Sequence, residues 1–313
     1  MLCNRTLQYL SKMSMNKDKL DAKAWLLGLF TTTLWGMNFL VIDLGLRQLD
    51  PFLLTFLRFF FCAVPLVFFI KKPQGISWAV LFLYGSLFAC GLWWVVNFAI
   101  HQGLSVGLSA LFLQFSAFFT IILGVMLFKE RINRIQITGM VLAFFGLVFL
   151  IYHKNTASTL QGIGLILLAA LAWAVCNSII KRYKPSDMIA FIVWSSLCSL
   201  PALFVMTLWV KGVDLFINLP SQMNAEAWFS VLFQAYITTI VGYMIWNNLM
   251  RQYPVSQVAP LSLIVPIVGA VSSYLLLNEP MDMIKVTAII IVLLGLGIFM
   301  NANKIKQKSA GLS

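Results

Sequence analysis

The sequence predicts an all-α membrane protein: ten transmembrane helices arranged as two inverted five-helix repeats. Three observations carry this expectation. The 313 residues are 61% hydrophobic and only 10% charged, with a mean hydropathy of +0.91, whereas soluble domains carry about 25% charged residues. Apolar runs of the roughly 20 residues that cross a bilayer recur along the whole chain. The second half repeats features of the first at a fixed offset.

Cutting the chain at charges, Pro and Gly places the spans at 24–44, 51–70, 76–99, 104–128, 133–152, 161–181, 187–210, 226–250, 257–277 and 283–302. The linkers are mostly short, so neighbouring spans are antiparallel. Residues 1–23 are polar and basic with no apolar stretch of their own, which reads as a cytoplasmic segment and not a signal peptide. Residues 303–313 read as a basic cytoplasmic tail. With the N-terminus inside, seventeen of the 22 Lys and Arg fall in inner segments and four in outer ones; Arg58 lies within the second span. That asymmetry orients both termini to the cytoplasm. It also accounts for the net charge of +12 as topology and contact with anionic lipid, so nucleic acid is not an expected partner. Four of the five cysteines, Cys62, Cys90, Cys176 and Cys198, lie in apolar runs and read as small core residues.

The repeat is visible where "LFKERINRIQITGMVLAFFGLVFL" (127–150) is set beside "LLNEPMDMIKVTAIIIVLLGLGIF" (276–299). An offset of 149 pairs Leu127 with Leu276, Glu130 with Glu279, Gly146 with Gly295 and Ala110 with Ala259. "LWGMN" (34–38) answers "AWAVCN" (172–177) with one extra residue. The units are 24–152 and 161–302. Five spans is an odd number, so the second unit enters the membrane with opposite polarity. Asn38 and Asn177 then sit at mirrored depths. Inverted repeats of this kind are a transporter architecture with the site near the midplane.

The polar residues within the spans supply candidates for that site. Trp94, Asn97 and His101 share a face of the third span at i, i+3, i+7. Tyr243, Trp246 and Asn247 share one in the eighth, beside Asn248; Thr31, Trp35 and Asn38 line up in the first. Gln114, Trp173, Asn177 and Trp194 come from the fourth, sixth and seventh. Together these amides and aromatics can surround a central cavity with almost no fixed charge, suited to a small neutral or zwitterionic solute. The substrate-contacting set is therefore expected to be Trp35, Asn38, Trp94, Asn97, Gln114, Asn177, Tyr243, Trp246 and Asn247. Each has an alternative: aromatic residues anchor span ends at the interface, as expected for Trp25, Trp78, Trp209 and Trp228, and an amide can be an interhelical clasp. Asp43 and His101 are the candidates for proton coupling. Arg58 is expected in a structural ion pair with Asp43 or Asp50, and Glu130 and Glu279 as caps of the helices that come after them. Pro260 and Pro266 should bend the ninth span and free carbonyls along the cavity.

The stretches "LWGMNF", "LQFSAFFTIILGVMLFKER", "TTIVGYMIW" and "VAPLSLIVPIVG", in this order and spacing, resemble the EamA branch of the drug/metabolite transporter superfamily. The similarity runs from about residue 24 to 302. It implies ten helices in two inverted repeats, a central cavity, and export of amino acids or related metabolites, cysteine and O-acetylserine among them, across a bacterial inner membrane by alternating access. It also implies that Trp35, Asn38, Gln114, Trp173, Asn177, Gly242, Tyr243, Trp246 and Pro260 line the cavity or shape its helices. A drug or toxic-compound efflux carrier of the same superfamily, or a membrane protein that does not transport, is the alternative. Carriers that exchange cationic drugs use a Glu deep in the first span, where this chain has only Asp43 near the end. Enzymatic motifs are lacking: there is no His-Glu-x-x-His, no Gly-x-Ser-x-Gly, and only two histidines. No metal or cofactor is expected. A small solute and membrane lipid are the expected partners, with a monomer as the working expectation.

Overall fold

The computed structural model describes residues 20–129, 132–153, 157–253 and 258–310. Among these, nine helices are long and apolar enough to cross a membrane: α1 Ala22–Leu46, α2 Pro51–Phe68, α3 Trp78–His101, α4 Val106–Leu127, α5 Arg134–His153, α6 Leu160–Tyr183, α7 Met188–Lys211, α8 Ala225–Met250 and α10 Met283–Ala302. Between the last two lies a shorter apolar helix, α9, Leu261–Leu277. The protein is a multi-pass helical membrane protein. Trp25, Trp78, Trp209 and Trp228 lie exposed on its surface.

The helices begin where the sequence offers a side-chain acceptor for their unpaired N–H groups. Asp21 accepts from Ala24 N–H at 2.8 Å, Asp50 from Phe52 at 2.9 Å ahead of Pro51, and Asn224 from Ala227 at 2.9 Å. Asn133 and Gln136 bond each other's backbone reciprocally at the start of α5, a capping box. At the other ends, α4 and α9 close on left-handed residues, Lys129 at φ 56° and Asn278 at φ 52°, which the offset of 149 superposes.

Helix packing follows the same exchange. α1 packs on α9 as α6 packs on α4; α3 on α7 as α8 on α2; α3 on α6 as α8 on α1. The pairs α2–α7, α4–α9 and α5–α10 map onto themselves, as a pseudo-two-fold axis between the halves requires. The α5–α10 pair depends on missing side chains. A Cβ on Gly295 would sit 2.5 Å from the Ala143 nitrogen, and one on Gly146 would sit 2.8 Å from a Val292 methyl. The offset turns one contact into the other. Contacts descend along α10 as they ascend along α5, so the two helices are antiparallel. The outward face of α5, with Val141, Phe144, Phe145 and Val148, is exposed and suits lipid chains.

Two irregularities recur in both halves. α3 widens into a π turn over Leu87–Trp94, and α8 does so over Phe233–Val241. α4 breaks at Gln114–Phe115, and α9 begins within a tight 3₁₀ turn over Ala259–Leu263. Such distortions free backbone groups and collect at functional sites.

Candidate functional site

The two breaks meet. Gln114 Nε2 donates to the Ser262 carbonyl at 3.0 Å, so a carbonyl in the distorted start of α9 is satisfied by a side chain from the other half, as the prolines there led one to expect. Beside this junction is a cavity of about 730 Å³, within the ~300–1,000 Å³ range of small-molecule sites.

The walls of the cavity come from both halves. Trp35 and Asn38 face it from α1, Gln114 and Thr120 from α4, Trp173 and Asn177 from α6, and Tyr243, Trp246 and Asn247 from α8. Aromatic rings form one continuous wall: Trp35 lies 5.2 Å from Tyr243 and 5.2 Å from Trp246, and Trp173 lies 5.9 Å from Tyr243. Gly242 makes room for this wall, because a Cβ there would meet Trp35 Nε1 at 2.7 Å. The indole N–H instead donates to the Thr238 carbonyl, within the π turn of α8, at 3.0 Å. Gly36 lets α1 lie against the α9 backbone; its Cβ would fall 2.8 Å from the Val265 carbonyl. Asn38 is 1% exposed and accepts from the Thr238 hydroxyl at 3.0 Å. Asn177 donates to Thr120 Oγ1 at 3.2 Å.

Seven of the nine residues expected to contact solute thus border the cavity. Trp94 and Asn97 do not. Trp94 stacks on Phe98 and packs at a tilt against Phe52, and Asn97 donates to Thr55 Oγ1 at 2.9 Å; their shared face is turned to α2. The neighbouring Trp93 borders the cavity instead. Trp194 also lies elsewhere, its indole donating to the Ile70 carbonyl at 2.9 Å, and the Thr31 hydroxyl is spent on the Leu27 carbonyl of its own helix. Neither coupling candidate reaches the cavity: Asp43 is paired with Arg47 at 2.8 Å, and His101 is exposed at the end of α3.

Arg58 corrects a further expectation. Asp43 is taken by Arg47 and Asp50 by Lys211, at 2.8 Å each. Arg58 pairs with no carboxylate among the described residues. It is 1% exposed and borders the cavity. Its Nη2 and Nε reach Thr239 Oγ1 at 3.0 and 3.3 Å, and its Nη1 reaches Gln234 Oε1 at 3.3 Å. Its guanidinium lies 3.7 Å from the centroid of Trp93, a cation–π contact. Gln234 passes the polarity on, donating to Ser230, which donates to the Val41 carbonyl. The sequence signal was the lone intramembrane cation.

The cavity reaches from mid-molecule to the end formed by the start of α5 (Gln136), the end of α6 (Ile180), the start of α7 (Met188) and the end of α10 (Met300). The opposite end is tied shut. Glu279, expected to cap α10, instead caps α4: its carboxylate accepts from the Val106 N–H at 2.8 Å and from the Ser105 hydroxyl. Lys285, itself buried, reaches the carboxylate at 3.2 Å and Ser105 at 3.0 Å. Asp282 caps α10, accepting from the Lys285 N–H at 2.7 Å. Burial pushes the Glu279 carboxyl up, but the bond from Ser105, the Lys285 charge and the Val106 N–H outweigh it and hold the group below the usual carboxylate range. Glu130, the counterpart at the other end, lies outside the described residues.

A chain of membrane helices folded about a solute-sized cavity, with walls drawn from two halves that exchange by symmetry, has the architecture of a membrane transporter. The family comparison gives the same class. The EamA-like transporter family model matches residues 22–152 and again 160–301, and the chain belongs to that family. Proteins named "Probable amino-acid metabolite efflux pump" in Salmonella typhimurium (strain LT2) and Escherichia coli (strain K12) are each 34% identical to it, over 88% of this chain and 94% of theirs. An "Uncharacterized transporter" of Archaeoglobus fulgidus is 25% identical over 88% of this chain and 97% of its own. One solved crystal structure shares the fold, with a TM-score of 0.59 at 15% identity, covering 88% of this chain and 97% of that one.

Proposed function

We propose that this protein exports small amino acids or closely related metabolites across a bacterial inner membrane by alternating access. The observation that carries the reading is the central cavity, whose wall combines amides with an aromatic surface drawn from both halves. The relatives named as amino-acid metabolite efflux pumps give the solute class. The two halves act as inverted five-helix repeats, with both termini in the cytoplasm, as the distribution of basic residues argues. On that orientation the cavity reaches toward the cytoplasm, and the Glu279–Ser105–Lys285 latch closes the outer side. This is the conformation that loads solute for export. Opening requires α4 to part from α9 and α10 on the outer side while the inner ends converge. The only charged residue on the cavity wall among those described is the cation Arg58, which disfavours cationic drugs as solutes.

The test is counterflow in proteoliposomes holding the purified chain. Vesicles preloaded with a neutral amino acid or O-acetylserine should accumulate the labelled solute from outside. An absence of exchange across a panel of amino acids and their O-acyl derivatives would overturn the reading.

A further inference from the structure

Arg58 poses an electrostatic problem that its neighbours do not solve. A guanidinium 1% exposed inside a membrane protein has lost its water, and a charge in that state ordinarily has a counterion. The partners of Arg58 are two neutral oxygens, Thr239 Oγ1 and Gln234 Oε1, and the face of Trp93. The nearby carboxylates are engaged by other cations. Of the five N–H groups of an arginine, three are bonded, two of them to the same hydroxyl. One N–H on each terminal nitrogen is left over. Two adjacent N–H groups on a planar fork match the two oxygens of a carboxylate.

The neighbours are oriented to hold a cation. The Thr239 hydroxyl gives its proton to the Gln234 carbonyl, and the Gln234 amide gives its own to Ser230. Both therefore present oxygen to Arg58, holding the fork from behind without neutralising it. The cavity lies beside it.

We propose that the solute carries a carboxylate and that Arg58 is the residue that binds it, the anion completing the ion pair that the protein leaves half-built. This rests on the transport reading and names the group the site selects. It also sets the role of the amine. No carboxylate among the described lining residues can pair with an ammonium; aromatic faces such as Trp35, Trp173, Tyr243 and Trp246 and neutral amide oxygens such as that of Asn177 can receive it without a counter-charge. The acid is required, and the amine is secondary.

The experiment measures solute affinity of the purified full-length chain by isothermal titration, for three forms of each amino acid: the free acid, the N-acetyl acid and the primary amide. The free acid should bind roughly ten- to hundredfold more tightly than the amide, the span expected for a hydrogen-bonded charge contact. The N-acetyl acid should stay close to the free acid. Arg58→Lys should keep the preference for acid over amide, and Arg58→Gln should bring the ratio near one. Equal binding of acid and amide by the native chain would overturn the proposal, and so would an unchanged ratio in Arg58→Gln. Should Arg58→Gln fail to fold, the acid-to-amide ratio of the native chain decides alone. A parallel panel of 2-hydroxy and 2-keto acids with their amides separates the two readings. Preference for acid there, with no binding of amino acids, keeps Arg58 as the carboxylate site and removes the amino-acid assignment. No binding of any acid removes both.

Discussion

Gly295 and Gly297 lie two residues apart on α10, yet alanine at the two positions should act with opposite sign. A Cβ at Gly295 would stand 2.5 Å from the Ala143 nitrogen and 2.6 Å from the Gly139 carbonyl, both backbone atoms of α5. No rotamer relieves that clash. Restoring ordinary contact at 3.4 Å requires the helices to part by about 0.9 Å at their crossing. The return approaches, where a Cβ on Gly139 would stand 2.6 Å from the Phe299 nitrogen and one on Gly146 2.8 Å from a Val292 methyl, loosen with it. Overpacking of this kind costs about 1–3 kcal/mol, against about 1 kcal/mol gained from the better helix propensity of alanine. A Cβ at Gly297 meets only a Leu263 methyl, at 3.9 Å, so Gly297→Ala keeps the propensity gain alone. The expected result is a net loss of up to about 2 kcal/mol for Gly295→Ala and a gain of up to about 1 kcal/mol for Gly297→Ala. Equilibrium unfolding of the purified protein in mixed micelles measures both. If Gly295→Ala proves as stable as Gly297→Ala, the close α5–α10 crossing is not the arrangement in the membrane.

Gly242→Ala should displace the Trp35 indole from the Thr238 carbonyl and weaken solute binding severalfold, while Trp35→Phe, which lacks the N–H, should lose no more when Gly242→Ala is added; titration of the double variant checks this. Asn38→Leu removes one bond to Thr238, worth about 0.6 kcal/mol on average inside a membrane, so melting should barely move while solute affinity falls; unchanged affinity would make Asn38 a clasp alone. Asn97→Leu likewise removes one bond, to Thr55, so melting should again barely move, but solute affinity should stay unchanged because Asn97 does not border the cavity; a fall in affinity would place it in the site. The Glu279 carboxyl is held below its ordinary range, so the latch contributes fully above the unfolded-state value and is lost as pH falls through the lower, folded one. Glu279→Gln should remove that acid-side dependence and raise reactivity of a cysteine placed at Ser105 toward an impermeant thiol reagent added outside; an unaltered pH profile would refute the latch.

Composition and spacing made the helices legible because each span carries its own evidence: an apolar run, a cap and a flanking charge. Trp35, Asn38 and Asn177 were legible because the repeat placed them twice. Contacts between distant residues were not. Arg58 meets its partners across a separation of 181 residues, and the carboxylates closest to it in sequence are held by Arg47 and Lys211. Glu279 is next to α10 in sequence but capped α4, 173 residues away. The misplaced face of α3 has the same cause. Helical spacing shows that Trp94 and Asn97 share a face but not which neighbour that face meets, and it meets Phe52 and Thr55 of α2. Trp93, one residue earlier on another face, borders the cavity.

Arg58 also constrains how α2 enters the membrane in the first place. At a helix centre an arginine opposes insertion by about 2.5–3.5 kcal/mol, while each Phe or Leu favours it by about 0.3–0.6 kcal/mol. Between Pro51 and Ala63 the chain places Phe52, Leu53, Leu54, Phe56, Leu57, Phe59, Phe60 and Phe61 around the arginine. Together these eight contribute about 2–5 kcal/mol, enough to offset it. None of the eight borders the cavity, yet the segment cannot be thinned to alanine. During synthesis, before Thr239 and Gln234 exist to receive the guanidinium, hydrophobicity alone must hold the charge in the bilayer.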